Sequence, residues 1–375
     1  MFSAGESSGD QHAANMFNEL KKQLPNIQGL GMGGTKMRQA GMDICFDSSS
    51  IAVIGLVEVL KHYGEIKGAL NLMKKLVSSE KPDLLVCVDY KEFNLKLARF
   101  AKQAGVKVLF YVSPQVWAWR PGRVVTYGKA IDMMAVIFPF ETAYYEAENV
   151  PVTYVGHPSV DKVHALNSKQ ENLDKFSLQA DKSVVGLLPG SRISEINRML
   201  PVMLLAAEKL QKRDKDIQFV LPQADSITDD LLQPYLQASS ANITMIKHRP
   251  YDVIQCCDAI MTTSGTASLE IALMQVPMVI AYRLSSITFF FAKYLVNTKF
   301  IGLPNIIAGN GIIKELIQQD ATADNLVDEI NKILHDKSYR QNMLDQLAIV
   351  KEKLGQGGGS KNMADLAVKM LKTEE

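Results

Sequence analysis
The sequence predicts an α/β fold of two Rossmann-like domains facing across a cleft. Three observations carry the prediction. Short apolar runs alternate with amphipathic stretches of about 10–15 residues, the mark of βαβ units and a parallel sheet. The alternation stops in a polar stretch after Asp161 and restarts near Ser183. The chain has 375 residues, more than the roughly 250–300 at which a single core stops growing.

The first half opens with four mostly apolar residues and then Gly5-Glu6-Ser7-Ser8-Gly9-Asp10. A Gly/Ser turn of this kind usually joins a buried first strand to a helix, and here that strand is short. A helix is predicted over 12–24, because Ala13, Met16, Phe17, Leu20 and Leu24 share one face. Further strands are expected at 27–31, 83–88, 106–112, 133–137 and 152–155, and helices at 36–40, 63–79, 92–103 and 141–148. Residues 51–62 are strongly apolar.

The second half repeats the scheme, with strands at 183–188, 217–222, 243–246, 259–262 and 276–282. Helices are expected at 193–212, 228–237, 252–256, 267–274 and 289–296. The tail from 312 reads as mostly helix, broken by glycines between 355 and 359. This organisation sets domains at 1–165 and 166–354, with 355–375 a helix crossing back.

Composition narrows the function. Apolar residues are 47% of the chain and charged residues 22%, as in a globular protein with ample core. A net charge of +1 gives no electrostatic case for nucleic acid. Cys45, Cys87, Cys256 and Cys257 lack metal-ligand or redox spacing and read as core residues in a reducing compartment. No basic segment followed by an apolar stretch opens the chain, so no signal peptide is expected. No apolar run reaches the ~20 residues of a spanning helix. A cytoplasmic protein that touches membranes at most peripherally is expected.

Chemistry-bearing residues gather where strands end, and parallel sheets bind ligands there. Glu6, Asp89, Ser113, Trp117 and His157 all fall on that edge of the first domain. Asp89 reads either as a general base or as the cap of the helix behind it. Glu6 reads as a cleft acid or a helix cap. Trp117 and Trp119 are the only tryptophans. With Val116 they read as packing beneath a loop, or as an exposed lip for acyl chains with Arg120 and Arg123 free for phosphates. His157, held extended by Pro158, is a structural or a catalytic residue.

In the second domain two strands feed Gly/Ser turns and helices, at Gly190-Ser191-Arg192 and at Ser264-Gly265-Thr266-Ala267. Unpaired N–H groups at a helix start favour an anion, and Arg192 forms bidentate pairs with phosphate oxygens. Glu270, one turn into its helix, is placed for ribose hydroxyls or stabilises the first turn as an ordinary acid. Together the turns fit a nucleoside diphosphate. The dinucleotide and P-loop glycine patterns are missing, and the only Asp-x-Asp, Asp214-Lys215-Asp216, lies in a polar turn. A metal-dependent sugar-nucleotide site is not expected, and no cofactor is.

These stretches resemble the lipid-A-disaccharide synthases, bacterial inverting glycosyltransferases of the B-type fold. The resemblance spans nearly the whole chain. It rests on Ala4-Gly5-Glu6-Ser7-Ser8-Gly9-Asp10, Gly31-Met32-Gly33-Gly34, Asp89 with Phe93-Asn94, and the run from Tyr111 through Ser113-Pro114-Gln115-Val116-Trp117-Ala118-Trp119-Arg120. It rests equally on Pro139-Phe140-Glu141, Val155-Gly156-His157-Pro158, Leu187-Leu188-Pro189-Gly190-Ser191-Arg192, Ser264 through Glu270, and Leu303-Pro304-Asn305.

The resemblance implies transfer of a diacylated glucosamine from UDP to the 6-hydroxyl of diacylglucosamine 1-phosphate, giving the lipid A disaccharide. The acceptor would bind the first domain and the UDP-sugar the second. Asp89 would be the base, with Glu6 beside it. Gly190 to Arg192, Ser264 to Ala267, Glu270 and Asn305 would hold UDP. Val116, Trp117, Trp119 and Arg120, with 51–60, would meet acyl chains or the cytoplasmic face of the inner membrane. A homodimer is a candidate assembly. Two features depart from the family: the short first strand, and Gln115 where a serine is common. Two rivals share the architecture: a non-hydrolysing UDP-N-acetylglucosamine 2-epimerase, and a non-catalytic UDP-sugar sensor.

Overall fold
Residues 1–50, 62–119, 122–284 and 298–372 are described by the computed structural model. The chain forms two units, Met1–Asp161 with Gln356–Glu375, and Lys162–Gly355. The strong apolar run at 51–61, Arg120, the side chain of Trp119 and the helix expected at 289–296 lie outside the described residues.

The first unit runs β1 (Phe2–Ala4), α1 (Ser7–Gln23), β2 (Leu30–Gly33), α2 (Thr35–Gln39), β3 (Asp43–Asp47), α3 (Tyr63–Glu80), β4 (Leu84–Val88) and α4 (Lys91–Gln103). It continues through β5 (Lys107–Tyr111), α5 (Val116–Trp119), α6 (Arg123–Gly128), β6 (Met133–Val136), α7 (Thr142–Glu146), β7 (Val152–Tyr154) and α8 (Pro158–Lys162). The strands form one sheet in the order β3-β2-β1-β4-β5-β6-β7, every pairing parallel. Such a sheet is covered on both faces, so β4, Leu-Leu-Val-Cys-Val, is buried at every position.

The first strand has three residues and is central. Phe2, Ser3 and Ala4 pair with Val86, Cys87 and Val88 on one side, and Phe2 and Ser3 with Gly31 and Met32 on the other. Gly31 has φ +145°, and a Cβ there would lie 2.0 Å from the Phe2 carbonyl oxygen, so only glycine lets the two strands meet. Asp10 on α1 is buried and accepts the N–H groups of Gly34, Lys36 and Met37, capping α2 from across the sheet edge.

The second unit runs α9 (Lys169–Lys175), β8 (Val184–Leu188), α10 (Ile193–Arg213), β9 (Gln218–Gln223), α11 (Asp229–Ala238), β10 (Ile243–Lys247), α12 (Pro250–Cys256) and β11 (Ala259–Thr262). Then come α13 (Thr266–Leu273), β12 (Met278–Tyr282), α14 (Leu303–Ala308), β13 (Glu315–Ile317), α15 (Ala323–His335) and α16 (Lys337–Lys353). Its sheet, β10-β9-β8-β11-β12-β13, is also all parallel. Finally α17 (Gly359–Lys372) returns to the first unit, where Met363, Ala364 and Ala367 share a core with Ala13, Phe17 and Leu20 of α1.

Both sheets follow the doubly wound order. Direction of winding reverses between β1 and β4, and again between β8 and β11. Two strands were not foreseen. β3 is a partly exposed edge strand with an acid at each end, and β13 is three residues long in a stretch read as helix. The polar stretch before β8 contains α9, closed by a capping box between Ser168 and Glu171.

Candidate active site
In the first unit the chain leaves the sheet at its switch point on two neighbouring strands. Ala4 pairs with Val88, so Gly5-Glu6 and Asp89 emerge side by side. Asp89 and Tyr90 are both left-handed, with φ of 47° and 46°. This conformation is costly for residues with a Cβ and persists only when its surroundings impose it. Asn94 imposes it. The fully buried Asn94 amide donates to the carbonyls of Asp89 (2.8 Å), Val88 (3.2 Å) and Ser3 (3.1 Å), and its oxygen accepts from Ser3 Oγ (2.6 Å). Tyr90 then lies against Gly5, where a Cβ would sit 2.3 Å from the ring.

Burial pushes the Asp89 carboxyl above its ordinary range, against the pull of Lys91 and the Tyr90 N–H. Burial likewise raises Glu6, helped by the charge of Asp89 and opposed by Lys91. Two acids coupled in this way, with Lys91 beside them, make a proton acceptor of elevated basicity. A cavity of about 690 Å³ adjoins them, lined by Glu6, Asp89, Tyr90 and a face of α3. A larger cavity, about 1150 Å³, opens between Gln23 and Gln28 and beside Pro82 and Val106. It lies at the opposite, N-terminal strand edge, where parallel sheets do not place ligands.

Of the two readings of this stretch, packing beneath a loop or an exposed lip, Val116 and Trp117 follow the first. Val116 and Trp117 are buried, at 3% and 6% exposure. The Trp117 indole N–H donates to Glu141 Oε1 at 3.2 Å, and its ring meets Phe140 edge-on. Glu141 also accepts the Phe138 N–H at 3.1 Å, and burial pushes its carboxyl up to about 7. Ser113 is buried too, sharing a 2.8 Å hydrogen bond with the Tyr145 hydroxyl. The indole needs a partner once buried, and Glu141 supplies it. Arg123, expected free for phosphate, pairs with Glu92. His157 is buried against Phe138 and its Nδ1 accepts the Ser159 N–H at 3.1 Å; burial and then His12 hold it down to about 4. It is a neutral packing residue at the start of α8.

In the second unit Leu188 pairs with Thr262, and the two turns leave β8 and β11 at that sheet's switch point. Gly190 has φ +113°, and a Cβ there would strike Glu195 at 2.4 Å. Glu195 is 7% exposed and occupies the turn: Oε2 accepts the N–H groups of Ser191 (3.1 Å) and Arg192 (3.3 Å), and Oε1 accepts Arg192 Nη1 (2.8 Å). The anion hole expected at this helix start is therefore filled by the chain's own carboxylate. What the turn presents outward is the Arg192 side chain, 68% exposed.

The second turn is open. Ser264 Oγ donates to Ile301 O at 2.7 Å and Ser268 Oγ to Gly265 O at 2.7 Å. The Thr266 and Ala267 N–H groups have no hydrogen-bond partner among the described residues. Glu270, raised by burial, accepts the Tyr251 hydroxyl at 3.1 Å. Gly190, Ser191, Arg192, Ser264 to Ala267 and Glu270 line one cavity of about 440 Å³, within the size range of small-ligand sites.

Asn305 is placed differently from the expectation. It is fully buried, donating to Ile313 O (2.9 Å) and Glu315 Oε1 (2.7 Å) and accepting the N–H groups of Ile312 and Ile313. Glu315 in turn accepts the Ile301 and Gly302 N–H groups, and Ile301 O anchors Ser264. Asn305 thus supports the open turn through three successive hydrogen bonds, by way of Glu315 and Ile301. Sequence reasoning missed Glu195, Tyr251 and the roles of Asn94 and Glu141. For the last two the motifs Phe93-Asn94 and Pro139-Phe140-Glu141 were visible signals.

Two doubly wound sheets, each with a polar site at its switch point, define a two-lobed α/β protein of the B-type glycosyltransferase fold. A family model for lipid-A-disaccharide synthetase matches residues 1–370. The chain is 48% identical over 371 residues to a lipid-A-disaccharide synthase of Geobacter sulfurreducens, covering 99% of this chain and 97% of that protein. It is 46% identical to one from Nitrosococcus oceani, covering 99% and 96%. The chain belongs to the lipid-A-disaccharide synthetase family. Among solved structures, a UDP-N-acetylglucosamine 2-epimerase from Neisseria meningitidis bound to UDP-GlcNAc superposes with TM-score 0.64 at 13% identity, covering 98% of both chains. MurG of Acinetobacter baumannii gives 0.60 at 15%, covering 98% and 99%. Those likenesses show the fold alone; the family relationship decides against the epimerase reading.

Proposed function
We propose that the protein joins UDP-2,3-diacylglucosamine to 2,3-diacylglucosamine 1-phosphate, releasing UDP and forming the lipid A disaccharide 1-phosphate. The carrying observation is the pair of switch-point sites in a chain of this family: a raised acid pair in one unit, and a turn with open N–H groups, an arginine and an acid in the other. The acceptor 6-hydroxyl attacks the anomeric carbon and gives its proton to Asp89. The bond from that carbon to the diphosphate oxygen breaks, and UDP leaves with the electron pair. One displacement inverts the anomeric centre.

Donor binding follows from the second unit. The Thr266 and Ala267 N–H groups and the α13 dipole receive phosphate oxygens, Arg192 neutralises the departing diphosphate, and Glu270 takes the ribose hydroxyls. Glu195 holds Arg192 in place. Burial keeps Asp89 basic, and Glu6, itself raised by burial and by the charge of Asp89, is the second acid beside it. Both substrates carry acyl chains, and among the described residues no helix is long and apolar enough to cross a membrane. We therefore place the protein peripherally, on the cytoplasmic face of the inner membrane. Incubating purified protein with both substrates tests the reaction: disaccharide and UDP should appear in equal amounts. Formation of an epimer from UDP-N-acetylglucosamine alone would replace this reading with the epimerase one.

A further inference from the structure
The cavity beside Asp89 has a composition that the acid pair does not explain. One wall is a face of α3, where Tyr63, Ile66, Lys67, Leu70 and Lys74 recur at helical spacing. The opposite face of α3, with Ala69, Met73 and Val77, is in the core. On the cavity face Tyr63 is 58% exposed, while Ile66 and Leu70 are partly buried, packed against the core at their base and lining the cavity with what remains. Lysines are interleaved with them, and Lys96 of α4 joins from the adjoining helix.

The charges of the lining are unequally committed. Glu92 is paired with Arg123, and Lys91 acts on Glu6 and Asp89. Lys74 lies over the Phe100 ring. Lys67 and Lys96 have no ion-pair partner among the described residues. An apolar wall with unneutralised ammonium groups suits an amphiphile carrying a compact anion. A phosphomonoester has close to two negative charges at neutral pH, and lysine meets it as a point charge.

We infer that this cavity seats the acceptor, and that Lys67, Lys74 and Lys96 hold its phosphomonoester while Tyr63, Ile66 and Leu70 line its acyl chains. The inference rests on the glycosyl-transfer reading above. It makes the lysines the feature that selects a phosphorylated acceptor and turns its free hydroxyl toward Asp89.

The test compares two acceptors, diacylglucosamine 1-phosphate and its dephosphorylated form, with wild type and Lys67→Ala/Lys96→Ala in detergent. A Lys67→Glu variant, at an exposed position, gives a stronger perturbation. The double variant should raise KM for the phosphorylated acceptor roughly ten- to a hundredfold, the loss expected when two solvent-accessible charge-assisted contacts are removed together. KM for the dephosphorylated acceptor and for the donor should change less than twofold. Because anionic lipid headgroups share this chemistry, sedimentation with vesicles of phosphatidylglycerol forms a second arm, and it should not change. Equal effects on both acceptors, no effect on either, or a loss confined to vesicle binding would overturn the assignment. Those outcomes leave wild-type turnover intact. If wild type makes no disaccharide, it is the reaction assignment that fails, and this one with it.

Discussion
The Asn94 side-chain amide donates to the Asp89 carbonyl at 2.8 Å, so the proposed base is held through its own main chain. The same amide ties β1 to β4 through Ser3 and Val88. Replacing Asn94 by alanine leaves buried carbonyls unpaired and releases two left-handed residues. Asn94→Ala should lose on the order of 3 kcal/mol of stability in denaturant titration. Turnover of the folded fraction should fall at least about tenfold with UDP affinity within twofold, since a misplaced base slows chemistry and leaves donor binding alone.

Lys91 opposes the upward shift of both Asp89 and Glu6. The base works deprotonated, so kcat/KM should rise with pH through the raised apparent pKa of the acid pair. Removing a cation favours the protonated forms. In Lys91→Ala the acid limb of the pH profile should therefore move to higher pH. An unmoved or downward-moved limb would contradict the electrostatics described for this site.

Arg192 is an exposed cation lining the proposed donor cavity, and Glu195 fixes it. Arg192→Ala should weaken UDP binding by roughly ten- to a hundredfold in calorimetry, the range of a charged hydrogen-bonding partner. Glu195→Gln keeps the shape and removes the negative charge beside the diphosphate. It should retain more affinity than Arg192→Ala.

Glu141 binds its proton more tightly in the folded protein, at about 7 against an ordinary 4.5. Its contribution to stability is full below the unfolded value and is lost as pH rises through about 7. A shift of this size is worth on the order of 3 kcal/mol. Wild-type Tm should therefore decline from pH 4.5 to 8 more steeply than that of Glu141→Gln. Parallel slopes would remove Glu141 as the source.

Both switch-point sites were legible because a strand, a Gly/Ser turn and a helix leave a local sequence signature, as at Leu188 to Arg192 and Thr262 to Thr266. Asp89 stood out as an acid ending an apolar run. Tertiary consequences were not legible. Trp117 reads the same in sequence whether exposed or buried, and the Glu141 acceptor that buries it is 24 residues away. Glu195 was visible as a first-turn acid, but its reach back to the Ser191 N–H depends on the bend at Gly190. Asn305 was expected at the proposed donor site from its motif Leu303-Pro304-Asn305, yet Glu315 and Ile313 draw its side chain inward.

As the proposed base, Asp89 acts on chemistry and not on donor binding. That role is tested most directly by measuring disaccharide formation and UDP affinity together in Asp89→Asn. Turnover should fall by at least about a hundredfold, as for loss of a general base, while UDP affinity stays within twofold of wild type. Turnover at the wild-type rate in that variant would contradict that role.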